Sequence, residues 1–433
     1  MSATDRAPTQ PSQSAILKLL VVAIVVGMLA AAASSIFVEI IAAGQKLVFE
    51  QLPTSLGIGK GQWWWAAVLL LVGAGVVALA RLMPGHTGKG PLTGFHFDDP
   101  LSMVPSVLVA ALGTLIFGIA LGPEAPLIVL GTAVGAILTR NSAPDARKAA
   151  MFLGGAAAIG AVFGNPFVTG FMILEFIALG QVPVVLLVPA FVALASGYLT
   201  QLGILDLPGF GVHSLAVPGL PDFTAIAPGD VLMGLVVAVA AAVVAIAARQ
   251  GGLAFSSFAQ KKAVPALFIA AAITAVALGV AQLGFGVAQD QILFSGNSGM
   301  AALVQQTSAT VVAVILVCKL FAYAAALGGG FRGGPIFPAT FLGVAAGVLV
   351  ALLIPAAPLS AMAAAGIAAS AAAMLKLPAT SALLAAVLVA GTGPAIAPFA
   401  IFGAVIGWLV RLGLDARTAR PSAPTGSTAA QAP

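Results

Sequence analysis

The sequence predicts an all-α polytopic membrane protein, and three observations carry that prediction. Hydrophobic residues make up 61% of the 433 positions and charged residues only 7%, against about 25% charged in an ordinary soluble domain. The apolar residues form long runs instead of the alternating ten-residue segments of a transmembrane barrel. The runs also fall into two halves that repeat one another at a fixed offset.

Taken in order, residues 1–15 are polar and proline-containing and read as a disordered tail. A first membrane half, 16–204, carries apolar segments at 16–38, 63–82, 101–121, 149–176 and 182–204. The first is longer than the apolar core of a cleavable signal and reads as a helix. The connection 205–228 holds Pro208, Pro218, Pro221 and Pro228. A second half, 229–413, has segments at 229–248, 263–286, 309–327, 339–354, 361–375, 379–390 and 395–413, and a polar tail follows at 414–433. The runs 127–139 and 361–390 break into pieces too short to cross ~30 Å of hydrocarbon, which takes about 20 residues. Such interrupted segments in both halves point to a binding site near the bilayer midplane.

Charge placement sets the orientation. The net charge of +5 gathers at Arg140, Arg147 and Lys148, at Lys261 and Lys262, and at Arg411, Arg417 and Arg420. These positions mark the cytoplasmic side, with both termini there, and not a nucleic-acid surface. Three His and one Cys, with no HExxH and no Ser/His/Asp arrangement of workable spacing, leave no basis for an enzyme, a metal or a cofactor. Cys318 has no second cysteine to pair with and reads as a small core residue.

The duplication is legible in three blocks. Pro126-x4-Gly131-x3-Gly135 recurs as Pro338-x4-Gly343-x3-Gly347, and Gly154-Gly-Ala-Ala-Ala158 as Gly366-Ile-Ala-Ala-Ser370, both 212 positions later. Pro84–Gly88 recurs as Ser295–Gly299 at an offset of 211. The repeat cores run from about 85 to 204 and from about 295 to 413, with a binding site expected where they meet.

Glu124 is the residue around which that site is read. It is a lone carboxylate between Leu101 and Leu138, where a charge at membrane depth costs at least ~2.5 kcal/mol and marks function by default. Gly122, Pro123 and Pro126 break the chain there, which sets the acid at a helix N-terminus. Free amides at that end attract anions. A carboxylate beside them occupies the anion site, or leaves it when protonated. The second repeat offers Gly328–Thr340, whose amides at Ile336 and Phe337 are expected to face the same anion as Ala125 and its neighbours.

Gly85–Pro91 resembles a phosphate loop but fails as one, because Gly90 follows the lysine and Pro84 precedes it by five. It reads as a third backbone turn, with Thr87 supplying a hydroxyl. Lys89 is either an electrostatic contributor or a solvated lysine, and Arg332 is the other basic residue beside these turns. His96, Asp98 and Asp99 read as a polar loop, not as a metal cluster. Glu175, the other deep carboxylate, is either a helix-end acid or a proton relay.

At these residues the chain resembles the CLC family of chloride channels and proton-coupled chloride antiporters. The family's Gly-(Arg/Lys)-Glu-Gly-Pro motif is matched by Gly122-Pro-Glu-Ala-Pro126. Its Gly-x-Phe-x-Pro is echoed by Gly334-Pro-Ile-Phe-Pro338, with the phenylalanine displaced by one. The Asn-Ala-Pro-Leu-Ala-Gly helix is similar to Asn165-Pro-Phe-Val-Thr-Gly170. The resemblance runs from about Gly85 to Val410 and implies a homodimer with an anion path in each subunit, between inverted repeats built of broken and re-entrant helices. It implies a bacterial inner membrane location, Glu124 as the gate, and backbone ligands around Ile336 and Phe337. The cargo would be chloride or another monovalent anion, fluoride included, moved by a channel-like or an H⁺-coupled route. Three departures stand out. The family's anion-coordinating serine falls on Gly88, its tyrosine before the last helix falls near Gly393, and its internal proton glutamate falls on Phe176, one position after Glu175. A secondary transporter of an organic solute is the rival reading, but few polar side chains lie at depth to recognise one.

Overall fold

The computed structural model describes residues 13–207 and 215–418. Most of the expected N-terminal tail, Pro208 within the connection, and most of the expected C-terminal tail with Arg420 lie outside the described residues. In the first half the helices are α1 (Gln13–Lys46), α2 (Leu52–Ser55), α3 (Trp63–Ala80), α4 (Val104–Leu115), α5 (Glu124–Leu138), α6 (Pro144–Phe163), α7 (Pro166–Ala178) and α8 (Leu187–Leu205). In the second they are α9 (Pro228–Lys261), α10 (Ala263–Phe285), α11 (Met300–Val304), α12 (Ala309–Gly328), α13 (Ile336–Leu353), α14 (Leu359–Leu375), α15 (Pro378–Leu388) and α16 (Ala397–Thr418). Among the described residues nine helical segments are long and apolar enough to cross a membrane. The chain is an integral membrane protein.

Two apolar runs are broken more sharply than hydropathy suggests. The run 101–121 stops being helical after Leu115, and a turn with Gly118 at φ +90° carries the chain to α5. The run 149–176 splits at Gly164, which caps α6 at φ +56°, and Asn165 then starts α7 by accepting from the Phe167 amide at 2.9 Å. A side-chain oxygen at that position satisfies one of the orphan amides of a helix start. Helix also extends further than hydropathy implied at both ends, from Gln13 and to Thr418.

The two halves obey the offset to the residue. α5 and α13 begin at positions 212 apart, as do α7 and α15, and α6 and α14 end 212 apart. Packing repeats as well. Gly131 of α5 rests on the Gly154 carbonyl of α6, and Gly343 of α13 on the Gly366 carbonyl of α14, so closely that any Cβ would overlap. Small residues let helix backbones approach in a setting where helix association depends on close contact. The relation between the halves is fixed by one detail. Gly122 and Gly334, themselves 212 apart, form an antiparallel bridge, with each amide donating to the other's carbonyl at 2.8 and 2.5 Å. Equivalent residues paired antiparallel put a pseudo-two-fold axis through that bridge. The repeats are inverted about it.

Candidate functional site

Glu124 stands two residues past the axis, at the first position of α5, and is fully buried. Its side chain reaches into the other repeat, where Oε1 accepts from the amides of Ile336 at 3.1 Å and Phe337 at 3.0 Å. These are the first two residues of α13, so their amides have no acceptor within their own helix. A carboxylate satisfies them and suits the positive end of the helix dipole. Its second oxygen, Oε2, has no hydrogen-bond partner. Gly122 and Gly334 both abut the carboxylate, and a Cβ on either would occupy its space. The glycines of the two motifs make room for the acid.

Two residues that the sequence reading passed over complete this end of α13. Tyr323 of α12 is fully buried and its hydroxyl donates to the carbonyl of Pro335, the residue before α13, at 2.5 Å. Phe163, the last residue of α6, meets Phe337 edge-on with ring centroids 6.1 Å apart. A third overlooked residue, Lys319, is fully buried in α12. It donates to three consecutive carbonyls, Ile292, Leu293 and Phe294, at 2.7–3.0 Å. The signal for Tyr323 and Lys319 was available: each is a polar group inside an apolar run, the criterion that selected Glu124.

Cavities flank the acid on two sides. A vestibule of about 790 Å³ is lined by Pro123, Phe163 and Phe337, by Ser34, Ser35 and Glu39 of α1, by Tyr198 and Gln201 of α8, and by the 294–298 loop. A second cavity of about 40 Å³ is lined by Ala125, Pro126, Arg332 and Gly333, with the 89–99 segment over it. Leu115 faces the first and Val107 the second. Eight residues of α4 separate those two, a helix length of roughly 12 Å. Pro123 lines the first cavity and Ala125 the second, the residues on either side of Glu124 in the chain.

The expected basic residues do not stand free beside the path. Arg332 is buried and every guanidinium nitrogen is engaged: Nε donates to the Thr87 carbonyl at 2.6 Å, Nη2 to Gly88 at 3.0 Å, and Nη1 to Gly330 and Phe331. It ties the first-repeat turn to the second-repeat turn. That turn is strained, with His86, Thr87 and Gly88 all at positive φ, and the carbonyl bonds hold it. These bonds to neutral carbonyls make Arg332 a strut between the two turns and leave its charge in place. Arg332→Gln should bare two inter-repeat carbonyls at a cost of roughly 2–6 kcal/mol, and anion flux should fall at every ionic strength. A loss confined to low salt in a vesicle flux assay would return the residue to an electrostatic role.

Lys89 is ion-paired with Asp98 and Asp99 at 3.3 and 3.5 Å. Thr87 is buried and its hydroxyl has no hydrogen-bond partner. Among the described residues no group of His, Cys, Asp and Glu is placed to hold a metal. Glu175 sits apart, on α7, where it caps α15: its carboxylate accepts from the Ala379 and Thr380 amides at 2.8 Å and from the Thr380 hydroxyl. Thus Glu124, Ile336 and Phe337 converge, Thr87, Gly88 and Arg332 form a second cluster, Ala125 lies on the small cavity between, and Glu175 belongs to neither.

Broken helices that meet end to side chain across an inverted repeat, inside a membrane, define an ion-transport scaffold. The family described as voltage gated chloride channel matches residues 86–411, and the chain belongs to it. A relative from Escherichia fergusonii named "Putative ion-transport protein YfeO" is 30% identical over 363 residues, covering 80% of this chain and 82% of the relative. The protein of the same name from Escherichia coli strain SE11 is 31% identical over 357 residues, with the same two coverages. In fold the chain is similar to a slow cyanobacterial Cl⁻/H⁺ antiporter, with a TM-score of 0.75, 17% identity and coverage of 92% and 95%. A CLC-type fluoride/proton antiporter gives 0.66, 18%, 93% and 97%.

Proposed function

We propose that the chain carries chloride or a similar monovalent anion between the two cavities, and that Glu124 is the gate. One observation carries this reading. The carboxylate occupies the α13 amides as an anion would, at 3.0–3.1 Å, so an anion and the acid compete for one place. Protonation weakens the acid's claim to those amides and frees them. Ile336 and Phe337 then serve as ligands, and Ala125 contributes from the facing helix start. The functional unit would be a homodimer in a bacterial inner membrane with both termini cytoplasmic. Reconstituted protein should pass anions at a rate that saturates with anion concentration. Chloride and fluoride measured side by side identify the cargo, and no saturable anion flux with either removes the reading.

Within it we favour conduction without obligatory proton exchange. Phe176, at the antiporters' internal proton position, packs edge-on against Phe95 and Phe97 with centroids 6.4 and 6.2 Å apart. Glu175 is committed to capping α15 by three donors. Glu175→Gln should weaken that cap by about 1 kcal/mol and leave proton movement unchanged. The rival, proton-coupled exchange, draws on the two structural neighbours described as antiporters. Uphill proton pumping driven by a chloride gradient, lost in Glu175→Gln, would decide for it.

A further inference from the structure

The cavity away from the vestibule has a carboxylate of its own on its wall, Asp99, with Asp98 next to it in the same loop. Of the lysine and arginine on its wall, Arg332 is committed to backbone carbonyls, which leaves Lys89 as the cation able to meet an anion there. In the structure Lys89 is held by acids of the same loop. Its Nζ lies 3.3 Å from Asp98 Oδ1 and 3.5 Å from Asp99 Oδ1. This pairing closes the 89–99 segment on itself, in the manner of a compact loop whose ends meet. Phe95 and Phe97 anchor the loop on Phe176. Its inner face covers Ala125 and Gly333, the backbone next to Glu124 and its partner helix.

We propose that Asp98 and Asp99 form a second carboxylate gate, in which they hold Lys89 in place of the transported anion and an arriving anion displaces them. The inference rests on the anion-transport reading above. It extends the same competition to the far side of the path: Glu124 stands in for the anion at two amides, and Asp98 and Asp99 stand in for it at an ammonium. The hold is adjustable because the pair is unequal. The Asp98 side chain is 78% exposed and Lys89 39%, while Asp99 is 9% exposed. Exposed pairs are weak and screened by salt, so the Asp98 contact opens first and Asp99 retains the lysine.

The test compares anion flux into vesicles at fixed chloride, with ionic strength set by an impermeant salt. Asp98→Asn should raise flux about two- to tenfold at low ionic strength, through a higher local anion concentration at the freed lysine. Asp98→Asn/Asp99→Asn should raise it further, and both gains should vanish at high ionic strength. Adding Lys89→Gln should abolish the gain. Unchanged or reduced flux in Asp98→Asn at low ionic strength, or a gain that survives Lys89→Gln, overturns the proposal. Asp98 is too exposed for its amide to disturb folding, so the single variant decides even where the double variant is unstable. Wild-type flux is the internal control: its absence strikes the transport reading, whereas its presence with an unresponsive Asp98→Asn strikes only the second gate.

Discussion

Glu124→Gln should give anion flux that no longer depends on pH and that equals or exceeds the wild-type rate under acid. The sign follows from which form blocks. The charged carboxylate occupies the Ile336 and Phe337 amides, so wild-type flux should rise as the solution is acidified and the acid is neutralised. A glutamine cannot be charged and holds the amides more weakly. Hydrogen bonds to a charged group contribute about 1.5–3 kcal/mol and neutral ones about 0.5–1.5. Losing the charge from two bonds therefore costs the blocked state roughly 2 kcal/mol, or about thirtyfold in its occupancy. The side chain keeps its shape in a fully buried site, so packing is conserved. Flux recorded across a pH series in vesicles checks it, and a Glu124→Gln protein with the wild-type profile removes Glu124 from the gate.

How far this could be read from the chain depends on the kind of interaction. Helix content and membrane location follow from burial preference, which composition records directly. The duplication was legible as an offset because Gly131, Gly154, Gly343 and Gly366 must be small where helix backbones touch, while its inversion was implied only by the family resemblance. Glu124 was legible because an isolated charge at depth needs a purpose. Partners were not legible, since a hydrogen bond between Glu124 and Phe337 joins residues 213 positions apart. For the same reason the roles of Arg332 and Lys89 could not be separated in the sequence. Both are basic and both adjoin a glycine turn, yet one is bonded to the backbone of the opposite repeat and the other to acids of its own loop. The break at Gly164 was invisible to hydropathy, which does not register a left-handed residue, and showed only through the Asn165–Gly170 motif that begins the next helix. Tyr323 and Lys319 are different: the rule that found Glu124 covers them and was not applied.

Gly334→Ala should convert the protein to a form open at all pH values, by steric expulsion instead of neutralisation. The glycine lies against the Glu124 carboxylate on the axis between the repeats, and a Cβ built there falls 1.8 Å from Oε2 and 2.4 Å from the carboxylate carbon. Its backbone is not in the left-handed region, so alanine meets no conformational penalty and the clash is with the side chain. Overpacking a buried site costs about 1–3 kcal/mol and occasionally more, a substantial share of the roughly 3–6 kcal/mol that two charged amide bonds return to the blocked state. The carboxylate is the part able to move, and its displacement opens the amides. Because the cost is an overlap between two particular groups, it should disappear when one is removed. Gly334→Ala introduced into Glu124→Gly should leave both thermal stability and flux as they are in Glu124→Gly alone, an outcome that double-mutant comparison isolates as a pairwise term; alanine at 124 would not serve, because its Cβ stays 2.8 Å from the new one. If Gly334→Ala lowers stability equally in both backgrounds, the crowding is with the backbone bridge to Gly122, and the glycine serves the repeat contact and not the gate.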